Sequence, residues 1–466
     1  MPDRKSKGHS PIGYNGHELD DAGRSSGARA IVVVPILPRH PREDRDADPS
    51  RPRLNRSPEA RRDEAVGLAR AIELDPVHVA IVTINDPRPA TLLGSGKVEE
   101  LAGIVAEKEA ELVIVDHALT PVQQRNLETA LKAKVLDRTG LILEIFGRRA
   151  RTKEGTLQVE LAHLEYQRGR LVRSWTHLER QRGGGGFLGG PGETQIESDR
   201  RMLQEKILKL KRELEVVRRT RDLHRAKRRK VPFPVVAIVG YTNAGKSTLF
   251  NKLTGATVLA QDMLFATLDP TLRRVRLPHG TPVILSDTVG FISDLPTHLV
   301  AAFRATLEEV VEADLILHLR DISDPDTAAQ ADDVERILAD LSVDARDTER
   351  VLEVWNKIDQ LDESNREQLL AQRPADPANV PIAISAITGE GLQRLTARIE
   401  ERVAGEVSRV EVRLGPHQHH LLDWLYRNGD VVTREDQDDG GVALSVAMTA
   451  AARDEMQGRM GPSDRS

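Results

Sequence analysis

Residues 235–253 read VVAIVGYTNAGKSTLFNKL and join a β-strand pattern to a glycine-rich turn and the start of a helix. The turn from Gly240 to Ser247 matches the phosphate-loop pattern G-x-x-x-x-G-K-S, in the strand–helix context that this pattern requires. Its glycines let backbone N–H groups face phosphate oxygens at a helix N-terminus, whose dipole favours anions. We expect Lys246 to reach the β- and γ-phosphates and the Ser247 hydroxyl to bind Mg²⁺. The stretch predicts an α/β domain of the P-loop type.

A second motif, Asn356-Lys357-Ile358-Asp359, indicates which purine is bound. It follows an apolar run at 351–355 that predicts a buried strand. A carboxylate at the strand end can accept hydrogen bonds from the N1–H and the 2-amino group of guanine, and adenine offers neither donor there. A buried Asp359 would stay unpaired with adenine, and such sites can discriminate by roughly 10⁴–10⁵. The predicted base is guanine.

The other parts of a GTP-binding domain follow in order. A strand pattern at 282–286 ends in Asp287-Thr288-Val289-Gly290, where Asp287 would hold Mg²⁺ indirectly and the Gly290 N–H would sense the γ-phosphate. The 265–271 loop, Phe265-Ala266-Thr267-Leu268-Asp269-Pro270-Thr271, suits a switch whose threonine binds Mg²⁺ in the triphosphate state. Thr267 is the first candidate and Thr271 the second. Ser385 and Ala386 would support the base from below.

We therefore predict a GTP-binding domain over residues 231–404, and its sites can be named. The predicted nucleotide-binding residues are Gly240, Tyr241, Thr242, Asn243, Ala244, Gly245, Lys246, Ser247, Thr248, Phe265, Ala266, Thr267, Asp287, Thr288, Val289, Gly290, Asn356, Lys357, Asp359, Ser385 and Ala386. The predicted Mg²⁺ residues are Ser247, Thr267 and, indirectly, Asp287.

Phe291 directly follows Gly290, where Ras-like GTPases carry a glutamine that orients the attacking water. A phenyl ring cannot align or activate water, so we predict no catalytic side chain at this position. Even with its glutamine, Ras turns over at only about 10⁻⁴ s⁻¹ unaided. We expect slow hydrolysis that a partner must stimulate, and simple packing of Phe291 against the domain is compatible with this.

Composition sets limits on the rest of the chain. Its 466 residues suggest about three domains, and the lack of cysteine excludes disulfides and thiolate metal sites. No apolar run approaches the roughly 18 residues of a membrane span, and residues 1–30 lack the apolar core of a signal peptide. We expect a cytoplasmic protein without integral membrane association, and peripheral association with a membrane stays open. The formal net charge of −5 does not by itself indicate nucleic acid.

Strand and helix patterns alternate over residues 28–150, after a polar stretch at 1–27 that we expect to be disordered. The alternation predicts a small parallel α/β domain with a loop at 35–58. Gly94-Ser95-Gly96-Lys97 invites a second phosphate-loop interpretation, but Thr91 stands where the first glycine should be and no hydroxyl residue follows Lys97. A glycine turn that opens a helix explains the stretch better. The hypothesis of an RNA-remodelling ATPase that uses this domain is weakened accordingly.

Residues 151–230 predict a coiled-coil-like hairpin of two helices, near 152–181 and 194–229, with a glycine-rich tip loop at 183–192. From Arg200 to Lys230 there are 14 lysines and arginines against four acidic residues, a net charge of +10. Such a run is often only a solvated helix face, and the tip could be a flexible linker. In a net-negative chain it favours a polyanionic partner. The predicted RNA-binding residues are Phe187 and Leu188 at the tip, and Arg200 and Arg201 on the second helix.

Residues 405–452 predict a small C-terminal α+β domain, and 453–466 a disordered tail. His417, His419 and His420 cluster there, but apolar residues continue the pattern as an amphipathic helix, so metal binding is the weaker interpretation. The acidic stretch 434–441 predicts a solvated hairpin connection.

Over about residues 60–400 the chain resembles the HflX family of ribosome-associated GTPases. The most specific match is Gly190-Pro191-Gly192-Glu193-Thr194-Gln195-Ile196-Glu197, followed by Asp199-Arg200-Arg201. Supporting matches lie at 96–101, 123–128, 265–271 and 287–292. The resemblance implies a parallel α/β N-terminal domain, a helical hairpin and a P-loop GTPase domain.

The resemblance also implies a task and partners. It implies docking on the large ribosomal subunit and its rRNA near the peptidyl-transferase centre, and separation of stalled ribosomes when GTP is bound with Mg²⁺. We expect a monomer that does not bind DNA. The alternative hypothesis is a nucleotide-regulated adaptor for a non-ribosomal protein or a membrane partner, in which the GTPase is only a timer.

Overall fold

A computed structural model describes residues 27–38, 56–181, 191–228, 233–256, 264–265, 267–268, 271–293, 307–371, 380–405, 407–437 and 439–460. The predictions for residues 1–26 and for most of the 35–58 loop lie outside the described residues. The same holds for Phe187, Leu188 and Ala266.

The N-terminal domain is a parallel α/β unit, which confirms the predicted class. Its strands are β1 (Arg29–Ile36), β2 (Asp75–Thr83), β3 (Leu112–Val115) and β4 (Lys134–Asp137), in the order β2-β1-β3-β4. Its helices are α1 (Pro58–Arg70), α2 (Ser95–Glu107), α3 (Pro121–Leu131) and α4 (Arg138–Arg149). Helices α2 and α3 cover one face of the sheet and α1 and α4 the other. Gly94 is the N-cap of α2, as the helix-opening interpretation predicted.

The central region is a hairpin of α5 (Lys153–Gln181) and α6 (Pro191–Arg228). Arg168 of α5 donates a hydrogen bond to Gln204 of α6 at 3.0 Å, and Glu165 pairs with Lys211 at 2.9 Å. Residues later in α5 therefore contact residues earlier in α6, so the two helices run antiparallel. Leucines at the predicted spacing form their shared core: Leu157, Leu161, Leu164, Leu210 and Leu214.

The GTP-binding domain has a six-stranded sheet in the order β10-β9-β8-β5-β7-β6, in which only β6 is antiparallel to its neighbour. Its strands are β5 (Val235–Gly240), β6 (Thr271–Arg276), β7 (Pro282–Asp287), β8 (Leu315–Asp321), β9 (Val351–Asn356) and β10 (Ile382–Ala383). Its helices include α7 (Lys246–Thr254), α8 (Thr327–Asp340), α9 (Glu363–Ala371) and α10 (Leu392–Ala404). The continuous apolar run of β5 suits a strand that is buried on both faces, and its residues 236–240 are all buried.

The C-terminal domain is a three-stranded antiparallel sheet with helices. It comprises β11 (Val407–Leu414), α11 (His420–Asn428), β12 (Asp430–Asp436), β13 (Val442–Thr449) and α12 (Ala450–Met460), with the strand order β11-β13-β12. The hairpin connection that the acidic stretch predicted lies between β12 and β13, although strand β12 itself extends through Asp436. Among the described residues no group of three histidines or carboxylates could hold a metal ion, so His417, His419 and His420 form no such site.

The predicted disordered tail at 453–466 is wrong in its first part. Residues through Met460 belong to helix α12, and Met456 is only 5% exposed. Ala452, Met456 and Met460 recur every fourth residue, so they share one helix face that packs against the sheet core. Three apolar residues in a polar stretch were too weak a pattern for the sequence to predict the helix.

Candidate functional site

The phosphate loop has the backbone that its motif predicts. Gly240 ends β5 with φ +155°, and a Cβ there would overlap the Leu319 carbonyl oxygen. Gly245 is the N-cap of α7 with φ +94°, and a Cβ there would overlap the Asn356 side chain. Glycine is required at both positions by conformation and by space. Thr242 and Ala244 lie buried in the turn, and Asn243 is exposed with a positive φ of 62°.

Lys246 lies where phosphate oxygens would meet it. Its ammonium group donates to the carbonyls of Gly240 at 3.1 Å and Tyr241 at 2.7 Å. Burial lowers the pKa of Lys246 to about 8, and the neighbouring Asp287 offsets only part of that effect. An anion bound in the loop would supply a negative charge that stabilises this buried ammonium group. Gly290 is close by, since a Cβ there would lie 3.2 Å from Lys246 Nζ.

Two hydroxyls and a carboxylate lie together at the position where the sequence predicts Mg²⁺. The hydroxyls of Ser247 and Thr267 are 2.9 Å apart, and both donate to Asp287 Oδ2, at 2.7 and 3.0 Å. Adjacent ligands of an octahedral Mg²⁺ at about 2.0–2.1 Å stand about 2.9 Å apart, so the hydroxyl spacing fits this ion. Asp287 Oδ1 is buried without a hydrogen-bond partner, and burial raises the pKa of this carboxyl group. Thr271 instead starts β6, opposite Asp287 in the ladder.

Within the guanine motif, the side chain of Asn356 makes hydrogen bonds to two neighbouring segments. Its amide donates to the Ala244 carbonyl at 2.8 Å and accepts from the Ala386 N–H at 3.0 Å, so one side chain joins the phosphate loop to the 385–386 segment. Lys357 pairs with Asp321 at 2.7 Å and adopts φ +67°.

Asp359 differs from the sequence expectation because it is exposed. It lies in the short 3₁₀ turn Ile358–Gln360 after β9. When no ligand is bound, a carboxylate at this place is hydrated. The bound base must therefore itself bury Asp359 for the pairing to be selective. Ser385 and Ala386 are buried, and the neighbouring Ile384 carbonyl accepts from the Ile358 N–H of the turn at 3.3 Å.

The remaining predicted residues surround the same loop. The Thr288 hydroxyl donates to the Ile238 carbonyl at 2.6 Å, which joins the residue after β7 to the last paired residue of β5. Val289 and Phe265 are buried in a core shared with the N-terminal domain. Thr248 is half-buried in the first turn of α7.

Phe291 packs as an apolar core residue and is 1% exposed. Its N–H donates to the Gly240 carbonyl at 3.1 Å, and its carbonyl accepts from the Thr242 N–H at 2.7 Å. The backbone at 291 therefore continues the sheet beside the phosphate loop, and the ring lies in the core shared with the N-terminal domain. The ring therefore has the packing role that the sequence left open for Phe291.

Motif spacing did not identify four residues that contact this site. Arg56, Glu64 and Arg138 of the N-terminal domain and Ser293 after β7 form a network with the Tyr241 hydroxyl. Glu64 and Tyr241 are 177 positions apart, so no local pattern could have connected them.

On the hairpin, the predicted RNA-binding residues Arg200 and Arg201 are exposed on α6, and Arg201 pairs with Glu205 at 3.5 Å. Lys206 and Arg212 are exposed on the same helix. None of the helices in the described part of the chain is both long and apolar enough to span a membrane.

Comparison with known proteins identifies the family. Models for a GTP-binding GTPase N-terminal region, its middle region, a 50S ribosome-binding GTPase and an HflX C-terminal domain match residues 59–147, 149–228, 235–357 and 369–466. GTPase HflX of Magnetococcus marinus is 50% identical over 399 residues, which cover 85% of this chain and 90% of that protein. GTPase HflX of Escherichia coli is 46% identical over 387 residues, or 83% and 89%. A GTP-binding protein from Sulfolobus solfataricus, solved in complex with GDP, is 23% identical with a TM-score of 0.41, over 81% of this chain and 98% of that one. On the identity and coverage of the two HflX relatives, the chain belongs to the HflX GTPase family.

Proposed function

We propose that this GTPase binds the large ribosomal subunit and its rRNA in the cytoplasm and splits or rescues stalled ribosomes when it carries GTP. The observation that carries the proposal is the basic hairpin. Helix α6 spans 38 residues, and its described cations Arg200, Lys206 and Arg212 are exposed to solvent. A long cationic helix suits the phosphates of folded RNA. The family model for residues 235–357, described as a 50S ribosome-binding GTPase, supports the same partner.

Mg²⁺ is part of the proposal, because the site fits it. Ser247 and Thr267 would bind the ion, and Asp287 would orient them from behind. Bound there, Mg²⁺ neutralises charge on the β- and γ-phosphates. Lys246 would hold the same phosphates, and Asn356 would keep the phosphate loop in register with the base site. These residues bind and orient the nucleotide, and none of them activates water.

We propose that the protein alone hydrolyses GTP slowly and that the ribosome accelerates hydrolysis. The reason is Phe291, whose buried ring occupies the position at which Ras-like GTPases orient water. GTP turnover measured with and without large subunits tests this directly. We expect clear stimulation, and an increase of less than about twofold would contradict the proposal.

Binding to large subunits can be tested by co-sedimentation in the presence of a non-hydrolysable GTP analogue. The doubly charge-reversed variant Lys206→Glu with Arg212→Glu should bind more weakly. Its affinity should also fall less steeply with salt, since each lost phosphate contact lowers the slope of log K against log[salt] by about 0.9. Lys108→Glu with Arg148→Glu makes the same change in net charge on the N-terminal domain and serves as the control.

If the wild type does not sediment with large subunits at any salt concentration, the ribosomal proposal fails. That result would favour the adaptor hypothesis. Equal weakening by both charge-reversed pairs would show that only net charge matters and that α6 is not the contact surface.

A further inference from the structure

The N-terminal domain and the GTP-binding domain share one apolar core beside the nucleotide site. Phe146 of α4 meets Phe265 edge-to-face, with ring centroids 4.7 Å apart and planes at 82°. Phe265 and Leu268, which flank Thr267, are each 2% exposed. Leu264 lies against α1, where a Cβ added to Gly67 would be 3.1 Å from its side chain. The neighbours of Thr267 are thus buried against the N-terminal domain.

The backbone of Phe265 is strained where the two domains meet. Its φ of +56° lies in the left-handed region, which a bulky residue rarely adopts. Such a conformation persists only when the surrounding contacts hold it. Phe146 is one of the contacts that hold it. The hydroxyl of Thr267 is consequently kept 2.9 Å from that of Ser247.

A buried polar network makes a second connection between the domains. The Tyr241 hydroxyl donates to Glu64 and accepts from the Ser293 N–H at 2.9 Å. Arg138 donates to Glu64 at 2.6 Å and to the Ser293 carbonyl at 2.9 Å. Burial alone would raise the pKa of Glu64, but the charges of Arg138 and Arg56, together with hydrogen bonds from Tyr241 and Arg138, outweigh burial and lower it. Glu64 is therefore a carboxylate that binds both the phosphate loop and the segment after Phe291.

The network lies at the carboxyl edge of the N-terminal sheet. Asp116 directly follows β3 and Arg138 directly follows β4, and the two side chains form an ion pair. Open α/β sheets bind their ligands at this edge. Here Ser293 and Tyr241 of the GTP-binding domain contact this edge through Arg138 and Glu64.

We propose that Phe146 and Glu64 are positioning residues that hold Thr267 and Ser293 in the arrangement which binds Mg²⁺ with GTP. This inference rests on the Mg²⁺ site proposed above. Both interdomain contact and Mg²⁺ binding require Thr267 beside Ser247, so their free energies are coupled. The N-terminal domain therefore raises the affinity for the triphosphate with Mg²⁺ and has little effect on the affinity for GDP, which does not use Thr267.

The test compares dissociation constants of fluorescent GDP and of a fluorescent non-hydrolysable GTP analogue, each with and without Mg²⁺, in the full chain. Phe146→Ala should weaken binding of the analogue with Mg²⁺ by about fivefold, from the loss of the aromatic pair. Binding of GDP without Mg²⁺ should change by less than about twofold. Phe146→Leu keeps the apolar bulk and should recover part of the loss. Glu64→Gln should weaken analogue binding by the independent polar route.

Leu127→Ala is the matched control. Leu127 is fully buried in the N-terminal domain, on the sheet face turned away from the nucleotide site. Its truncation opens a cavity in the same domain without touching the interdomain contact. We expect this variant to keep the wild-type ratio of the two affinities.

Three outcomes would overturn the inference. If Mg²⁺ does not raise the preference of the wild type for the analogue over GDP, the proposed Mg²⁺ site fails. The inference then fails with it. If the wild type shows the preference but Phe146→Ala and Glu64→Gln keep it, only the inference is wrong. If Leu127→Ala reproduces the loss, the effect is one of domain stability and not of positioning.

Discussion

The turn between β6 and β7 docks on the C-terminal domain, and one added methyl group should undo this contact. Gly280 in the turn has φ +92°, and a Cβ there would lie 2.6 Å from Asn428 Cα and 2.7 Å from the Arg427 carbonyl oxygen. Arg276 of β6 donates to the same carbonyl at 3.0 Å. Both neighbours are at the end of α11, so Gly280→Ala pushes the turn against a helix backbone that cannot yield as a side chain does.

The magnitude follows from two effects that can be separated. The positive φ costs an alanine about 1–2 kcal/mol, and overpacking against backbone costs about 1–3 kcal/mol more. Gly255→Ala isolates the first effect, because Gly255 has φ +65° and no heavy atom within 4 Å of an added Cβ. The difference between the free-energy costs of the two substitutions is the contribution of the docking contact. At about 1.4 kcal/mol per factor of ten, it corresponds to a five- to hundredfold change in the population of undocked molecules.

Amide hydrogen exchange measures this population at defined sites. The Thr281 N–H is bound to Glu400 at 3.1 Å, and the Gly429 N–H to the Leu425 carbonyl at 2.9 Å, on the two sides of the contact. Both amides should exchange faster in Gly280→Ala and at the wild-type rate in Gly255→Ala. Equal rates at these amides in the two variants would refute the reasoning, because strain alone would then explain the effect.

Three further predictions concern the site and the C-terminal domain. Asp359→Ala should weaken GDP binding at least about hundredfold, as measured by calorimetry, since two hydrogen bonds to a charged group are lost; a loss below tenfold would contradict the assignment of the base site. Thr267→Ala should weaken binding of a GTP analogue only when Mg²⁺ is present, whereas Thr271→Ala should not, and the reverse result would make Thr271 the ligand. Met456→Ala should lower the unfolding free energy of the C-terminal domain by about 2–5 kcal/mol in denaturant titrations, and an unchanged value would mean that α12 does not pack on the sheet.

Local sequence patterns were enough to predict the features that depend on residues close together in the chain. The phosphate loop, the 287–290 segment and Asn356 lie where their motifs predicted, because each motif is one strand end and the turn that follows it. The leucines of the hairpin meet as their spacing predicted. Parallel strands also bring their carboxyl ends to one edge of a sheet, so the order of the motifs along the chain was enough to gather them in space.

Contacts between distant segments could not be predicted in this way. The bond between Glu64 and Tyr241 depends on how two domains pack, and nothing in either local sequence specifies the partner. The exposure of Asp359 was missed because a motif states which group meets the base but not how much protein surrounds it. Helix α12 was missed because its apolar face becomes visible only once the sheet that it covers is known.

Phe291 links the slow hydrolysis proposed here to the way the domains pack. Its ring is buried in the core that also contains Phe146 and Leu68 of the N-terminal domain. A glutamine at 291 would forfeit much of this packing, about 3–5 kcal/mol for loss of a whole ring, and would bury an amide at a further cost of about 1–3 kcal/mol. The position therefore cannot both orient water and join the two domains. A group that accelerates hydrolysis has to come from outside the core, which is where a ribosome docked on the basic hairpin could supply it.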